Sequence, residues 1–399
     1  MKYCVVVPDG AADLPVSRLE GKTPLEVARI PNLDRAAREG LLGQARTIPR
    51  RMTPGSDIAI MSVMGYDPAR YYTGRGPLEA ADMGVELAPG DVALRCNLIT
   101  TDGERLVDFC AGHISTTEAD VLIRLLNEKL GNPNLTFHTG TSYRHLLVFR
   151  GSGPARARTL PPHDVVGEEL ADILPKGEGS EVLIGLMNAS REVLADHEVN
   201  AVRRDLQQNP ANMIWLWGQG ERPGMTPFAQ RYHCTGAAVS AVNLVRGIAR
   251  LIGWDIVRVP GITGYTDTDY SAKGRYAIDA LRSRDLVLVH VEAPDEAAHE
   301  GDLKAKIHAI EQVDREIVGP MMAAAPELGG LRLLALPDHV TSVEQRKHLH
   351  GFVPFVIWGT GVQSRSGLAF NEAAAAQSNV LERKGHRLMD ALIAGSASA

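Results

Sequence analysis

Val5-Val6-Val7-Pro8-Asp9-Gly10 reads as a buried strand that stops at a carboxylate. Two later stretches repeat the design: His290-Val291-Glu292-Ala293-Pro294-Asp295, followed by His299, and Leu334-Ala335-Leu336-Pro337-Asp338-His339. In an open α/β sheet, side chains at strand C-termini converge on one edge, so carboxylates and imidazoles placed there can share a site. Together the three stretches predict a parallel sheet whose edge carries a two-metal centre.

Working outward, strand and helix patterns alternate. Residues 3–7 read as a strand, and residues 23–40 carry helical spacing (Leu25, Ala28, Ile30, Leu33, Ala36) that stops at a glycine. Further strands are expected at 146–149, 182–186, 213–217, 256–259, 286–291, 332–336 and 353–358. This alternation argues for a mostly parallel sheet covered by helices on both faces. The texture changes between 115 and 179, where a helix at 118–130 and an extended segment around Phe137 lead to a Gly/Pro/Lys-rich exit. The expectation is a core of residues 1–114 and 180–399 with a small α+β cap inserted at 115–179.

With 399 residues and 44% hydrophobic content, the chain can bury one large core plus a smaller domain. A net charge of -6 offers no field that would gather nucleic acid or anionic membrane, so local cations must hold any phosphate. The four cysteines, Cys4, Cys96, Cys110 and Cys234, have no Cys-x-x-Cys spacing, and the first apolar run is too short for a signal sequence. No apolar run reaches the roughly 18 residues of a membrane span. The expectation is a cytoplasmic protein with free thiols; composition says nothing of its oligomeric state. The segment after Asn371 is alanine-rich.

Asp295 and His299 are four apart, so a helix beginning after the strand puts them on one face. Alone, that pair is equally a helix N-terminal carboxylate beside a surface histidine. Asp338-His339 is harder to dismiss, because burying both at a strand end costs several kcal/mol without a compensating charge. Asp9 would be a third carboxylate, although Asp-Gly is by default a turn. His348 lies in a polar loop, with His350 competing for the same role. Ser56, in Thr53-Pro54-Gly55-Ser56-Asp57, is the candidate nucleophile: Pro-Gly can expose the hydroxyl and a helix can start just after it. It could also be only an N-cap. A divalent cation would activate such a hydroxyl without a histidine base. Arg75 in a glycine-flanked loop, and Arg144 with His145 at the head of a strand, could clamp a carboxylate or phosphate. Asn97 and His113 could hydrogen-bond to the substrate, each with a purely structural role as the alternative.

The strings Pro54-Gly55-Ser56-Asp57, Gly65-Tyr66-Asp67-Pro68, Tyr72-Thr73-Gly74-Arg75-Gly76-Pro77-Leu78-Glu79-Ala80, Arg95-Cys96-Asn97-Leu98, Ala111-Gly112-His113-Ile114, Ser142-Tyr143-Arg144-His145, Pro161-Pro162-His163-Asp164, Trp217-Gly218-Gln219-Gly220 and Pro337-Asp338-His339 follow in order over nearly the whole chain. Together they resemble the archaeal-type, 2,3-bisphosphoglycerate-independent phosphoglycerate mutases of the alkaline phosphatase superfamily. The resemblance implies an alkaline-phosphatase-like α/β core and two divalent ions (Mn2+, Mg2+ or Zn2+). It assigns one ion to Asp9, Ser56, Asp338 and His339, and the other to Asp295, His299 and His348. It also implies a phosphoserine at Ser56, Lys273 near the bound phosphate, no bisphosphoglycerate, and a cap that keeps water out while 3-phosphoglycerate and 2-phosphoglycerate interconvert. Ile60, Arg346-Lys347-His348 and Gly351-Phe352 depart from the usual pattern, which leaves the seven ligand positions intact and bears on the substrate instead. The alternatives are phosphoryl transfer to another small hydroxy acid such as homoserine, phosphomonoester hydrolysis, and a metal-stabilised binding protein without catalysis.

Overall fold

The computed structural model describes residues 1–363 and 366–395. It divides into two compact units, Met1–Tyr72 with Met225–Ala399, and Thr73–Gly224.

The first unit is built on an eight-stranded sheet. Its central strand, Lys2–Pro8, lies parallel between Leu286–Val291 and Leu331–Ala335, with Gly236–Val239 and then Asp255–Ile256 continuing the parallel run on one side. On the other side Val353–Gly359 is antiparallel to both Leu331–Ala335 and Leu41–Ala45, and Leu381–Glu382 closes the edge. Leu286–Val291 is buried at every position, and Lys2–Pro8 at all but its first. That is what a strand covered on both faces requires, and it accounts for near-continuous apolar runs rather than alternation. One face packs Cys4, Val6, Val287, Val289, Leu333 and Ala335 against helices Pro31–Glu39, Tyr270–Leu281 and Leu303–Val313. The expected helix at 23–40 is two helices, Pro24–Val27 and Pro31–Glu39, because Pro31 cannot continue the first and suits the first turn of the second.

The second unit carries an antiparallel sheet in which Val92–Thr101 pairs with Leu106–Asp108, Arg144–Phe149 and Met213–Glu221, while Leu135–Thr141 pairs with Arg144–Phe149. Helices Arg75–Met83, Thr116–Leu130 and Ser180–Leu194 accompany it. The unit is therefore wider than the expected insert at 115–179. Val92–Thr101 precedes that segment and Met213–Glu221 follows it, yet both hydrogen-bond into the same sheet, and local patterns do not reveal such long-range pairing. Residues 182–186, expected as a strand, lie in helix Ser180–Leu194, which buries Leu183, Met187, Ser190 and Leu194 at helical spacing. A short apolar run does not separate the two possibilities. The strand expected at 256–259 is only Asp255–Ile256. Among the described residues, no helix is long and apolar enough to cross a membrane.

Candidate metal centre

The C-terminal ends of the three central strands of the first unit deliver the predicted carboxylates and imidazoles to one place. Asp9, Asp338 and His339 form one group whose ligand atoms lie within 4.8 Å of one another, and Asp295, His299 and His348 form another. All of Asp9, Asp338 and His339 are buried, with the carboxylates 0% exposed. Ser56 joins the first group through a hydrogen bond of 3.1 Å between its Oγ and His339 Nε2. In the second group His299 Nε2 is 2.8 Å from His348 Nε2 and 3.3 Å from Asp295 Oδ2. Helix Ala293–Glu300 provides the four-residue spacing, and His348 arrives on a hairpin in which Val340–Ser342 pairs with Lys347–Leu349. The His339 and His348 rings are 4.2 Å apart, so the groups adjoin. The hairpin brings His348 into the second group, whereas His350 is exposed and lies outside both groups.

Burying this much negative charge needs compensation. Burial and the neighbouring Asp338 push the Asp9 carboxyl well above the usual carboxylate range. Burial and Asp295 push Glu292 up to about 8. Burial also disfavours the charged form of Asp295, but hydrogen bonds from His299 and His348 more than offset it and hold that carboxyl well below its ordinary value. Asp9 Oδ1, Glu292 Oε2 and Asp338 Oδ2 are buried and accept no hydrogen bond, although unpaired buried carboxylate oxygens are costly. Mixed oxygen and imidazole donors without thiolate suit Mg2+, Mn2+ or Zn2+, and divalent cations are the partners those oxygens lack.

Ser56 is the first residue of helix Ser56–Val63, whose N-cap is Gly55 and whose cap has no side-chain hydrogen bond. The N-cap alternative for Ser56 therefore falls away, and the hydroxyl is free of helix duty. Ile60, one turn later, is fully buried and packs as a core residue.

Lys273 lies on helix Tyr270–Leu281, 1% exposed, donating to the His290 carbonyl at 3.0 Å. Burial draws its ammonium down to about 8 against the opposing pull of Glu292. Two residues that sequence reasoning left unassigned also belong here. His290 Nε2 is 2.7 Å from Asp9 Oδ2, and its Nδ1 is 3.2 Å from Ser240 Oγ. Burial lowers His290 to about 3, so it is neutral and orients Asp9 by a hydrogen bond. Glu292 lies on the same side of the chain, 3.4 Å from His290 Nε2. Strand alternation was the available signal, since 290 and 292 share a face.

Gly10 explains the Asp-Gly pair. Its φ is +60, its N–H donates to Asp338 Oδ1 at 3.1 Å, and a Cβ there would lie 2.3 Å from Asp295 Oδ1 and 2.6 Å from Thr341 Oγ1. Gly10→Ala is expected to cost on the order of 2–5 kcal/mol, combining left-handed strain with overpacking. Denaturant unfolding checks this, and a change below about 0.5 kcal/mol would show that the loop simply gives way.

The remaining candidates lie in the second unit. Arg75 and Arg95 both reach Glu79 Oε1, at 3.3 and 2.9 Å, and both guanidinium groups stand over the Trp217 ring. Arg95, which sequence reasoning passed over, is buried in its strand. Burial and the nearby Arg75 and Arg144 lower it to about 10 despite the pull of Glu79. Asn97 Oδ1 accepts from Trp217 Nε1 at 3.1 Å, His163 packs against Trp217, and Arg144 covers Tyr143. His113, at φ 51, edges Tyr143 with ring centroids 6.2 Å apart. This group is a cationic, aromatic-lined surface suited to an anion. His145 does not belong to it. Alternation turns His145 to the opposite face, where it is 1% exposed, accepts from Gly140 N–H at 3.0 Å and is lowered by burial to about 3.

Residues 37–200 match the family described as 2,3-bisphosphoglycerate-independent phosphoglycerate mutase. The chain is 49% identical over 394 residues to 2,3-bisphosphoglycerate-independent phosphoglycerate mutase 2 of Methanothermobacter thermautotrophicus, covering 98% of this chain and 97% of that protein. Among solved structures it is similar to a Pyrococcus horikoshii protein, with TM-score 0.83 and 29% identity over 100% of this chain and 98% of the other. It is also similar to the cofactor-independent phosphoglycerate mutase of Thermoplasma acidophilum, with TM-score 0.67 and 27% identity over 100% of both chains. A relative this similar over almost the full length of both proteins leaves one conclusion: the chain belongs to the 2,3-bisphosphoglycerate-independent phosphoglycerate mutase family.

Proposed function

We propose that the protein interconverts 3-phosphoglycerate and 2-phosphoglycerate through a phosphoserine at Ser56. The observation that carries this reading is the Ser56 hydroxyl, released from helix capping and 3.1 Å from His339 Nε2, beside buried carboxylate oxygens that have no partner. Asp9, Ser56, Asp338 and His339 would hold one divalent ion, and Asp295, His299 and His348 the other. The bound cations supply charge neutralisation for the transferring phosphoryl group and lower the proton affinity of the serine hydroxyl. Ser56 Oγ takes the phosphoryl group as its bond to one glycerate oxygen breaks, then returns it to the neighbouring hydroxyl of the same glycerate. No bisphosphoglycerate is consumed and no phosphate is released. His290 and Ser240 keep Asp9 oriented, and the buried Lys273 ammonium offsets part of the local negative charge. On the second unit, Arg75, Arg95 and Arg144 offer fixed positive charge to an anionic group of the substrate.

The test is to supply 3-phosphoglycerate to the Mn2+-loaded protein without bisphosphoglycerate, in the presence of isotopically labelled free glycerate. The expected result is 2-phosphoglycerate without label and without stoichiometric phosphate. Release of phosphate would make the protein a phosphomonoesterase. Phosphoryl transfer to added homoserine in place of isomerisation would make it a phosphotransferase for another acceptor.

A further inference from the structure

Thr341 is fully buried beside both ligand groups, and neither the motifs nor the ligand sets assign it a role. Its hydroxyl is 2.6 Å from Asp295 Oδ1 and 3.0 Å from His339 Nδ1. A hydroxyl has one proton to give. The 2.6 Å contact has the length of an O–H donated to a carboxylate, and 3.0 Å is the ordinary length of an N–H···O bond. Thr341 therefore donates to Asp295 and accepts from His339 Nδ1–H. That fixes the His339 tautomer: Nδ1 carries the proton, and the Nε2 lone pair faces Ser56 Oγ at 3.1 Å, Asp338 Oδ2 at 3.3 Å and Asp9 Oδ1 at 3.5 Å.

The backbone holds Thr341 in place from three sides. Its N–H donates to the Ala12 carbonyl at 3.0 Å. Its carbonyl accepts from Lys306 Nζ at 2.6 Å, and the fully buried Lys306 ammonium is itself paired with Asp13 at 2.7 Å. Across the hairpin, Thr341 is in register with His348. We infer that Thr341 is the positioning residue that couples the two metal sites, orienting a ligand of each through one hydroxyl and setting His339 in the tautomer that presents Nε2. This deepens the two-metal reading proposed above and rests on it. Hydrogen bonds to ligand side chains of this kind are worth about 10–100-fold in metal affinity.

The test compares wild type, Thr341→Val and Thr341→Ser by direct titration with Mn2+ and Zn2+, reading stoichiometry and affinity, and by 15N NMR of histidine-labelled, metal-free protein. Wild type is expected to bind two ions and to carry the His339 proton on Nδ1. Thr341→Val, which keeps the shape and loses the hydroxyl, is expected to weaken both ions about 10–100-fold, and Thr341→Ser to restore most of that loss. Wild-type affinity for both ions in Thr341→Val, or weakening of one ion alone, would overturn the coupling. Should the valine variant fail to fold, the wild-type spectrum still decides, because a His339 proton on Nε2 is incompatible with the inference. A wild-type protein that binds fewer than two ions overturns the two-metal reading and this inference with it, an outcome visible before any variant is made.

Discussion

Ser56→Ala is expected to lower kcat on the order of 10^4–10^6-fold, because a covalent route has no substitute for its nucleophile. The same change is expected to alter folding stability by less than about 0.5 kcal/mol. The two halves of this prediction come from one geometric fact. Helix Ser56–Val63 is capped by Gly55 without any side-chain bond, so deleting the Ser56 hydroxyl leaves no helix donor unsatisfied. Alanine is also the better helix former at that position. The hydroxyl hydrogen-bonds to His339 Nε2, a site residue and not a packing partner. Steady-state turnover and chemical unfolding, run on one preparation, check both halves. Intact-mass measurement after incubation with substrate adds a third: wild type gains one phosphoryl group and the variant does not. Retained turnover, or a phosphoryl adduct that persists without Ser56, would remove the serine from the reaction. A stability loss above about 2 kcal/mol would instead make the hydroxyl structural and leave the kinetic loss without chemical meaning.

How much of this was legible in the sequence follows from what kind of contact places each residue. Asp9, Asp338 and His339 end apolar runs, and the ends of buried strands can be read locally, so their convergence was foreseeable. Asp295 and His299 share a helix face by spacing alone. His348 against His350 was open until the hairpin register was known, since it is the pairing of Thr341 with His348 that brings that ring to Asp295. His290 and Glu292 stand in the strand-end stretch and share a face, but the contact of His290 with Asp9 is long-range and has no local signature. Thr341 was hidden for the same reason, because its contact with Asp295 joins residues far apart in sequence. The same limit moved the domain boundary. The pairing of Val92–Thr101 with Met213–Glu221 joins segments on either side of the expected insert, and no local composition marks it. Arg144 and His145 show the reverse case, where adjacent residues looked equivalent but a two-residue repeat sends them to opposite faces.

Stripping divalent cations is expected to lower the unfolding midpoint by on the order of 10 °C. At free ion about 1,000-fold above Kd, each bound ion contributes roughly 4 kcal/mol, and a domain the size of the first unit shifts about 2–4 °C per kcal/mol, so loss of even one ion is enough. The pH dependence identifies the cause. In the stripped protein, burial and Asp338 raise Asp9 well above its ordinary value, and burial and Asp295 raise Glu292 to about 8. His348 rises to about 9, where its hydrogen bond to Asp295 outweighs the opposing effect of burial. Raised groups hold protons more tightly folded than unfolded, so their contribution is full below the unfolded values and is lost as pH climbs through the folded ones. Asp295 is ionised in both states at neutral pH, and His290, lowered by burial to about 3, is neutral in both above about pH 7. Lys273, lowered by burial to about 8, opposes the trend. Between pH 7 and 8 the stripped protein should therefore lose stability as pH rises. The loaded protein, its ligands already deprotonated by the ions, should change less, so the gap between the two widens. Melting curves of chelated and Mn2+-loaded protein at pH 7 and 8 measure that gap. A midpoint indifferent to chelation would mean that this carboxylate cluster is stable without cations. A gap that narrows with pH would mean that its repulsion is not what the ions relieve.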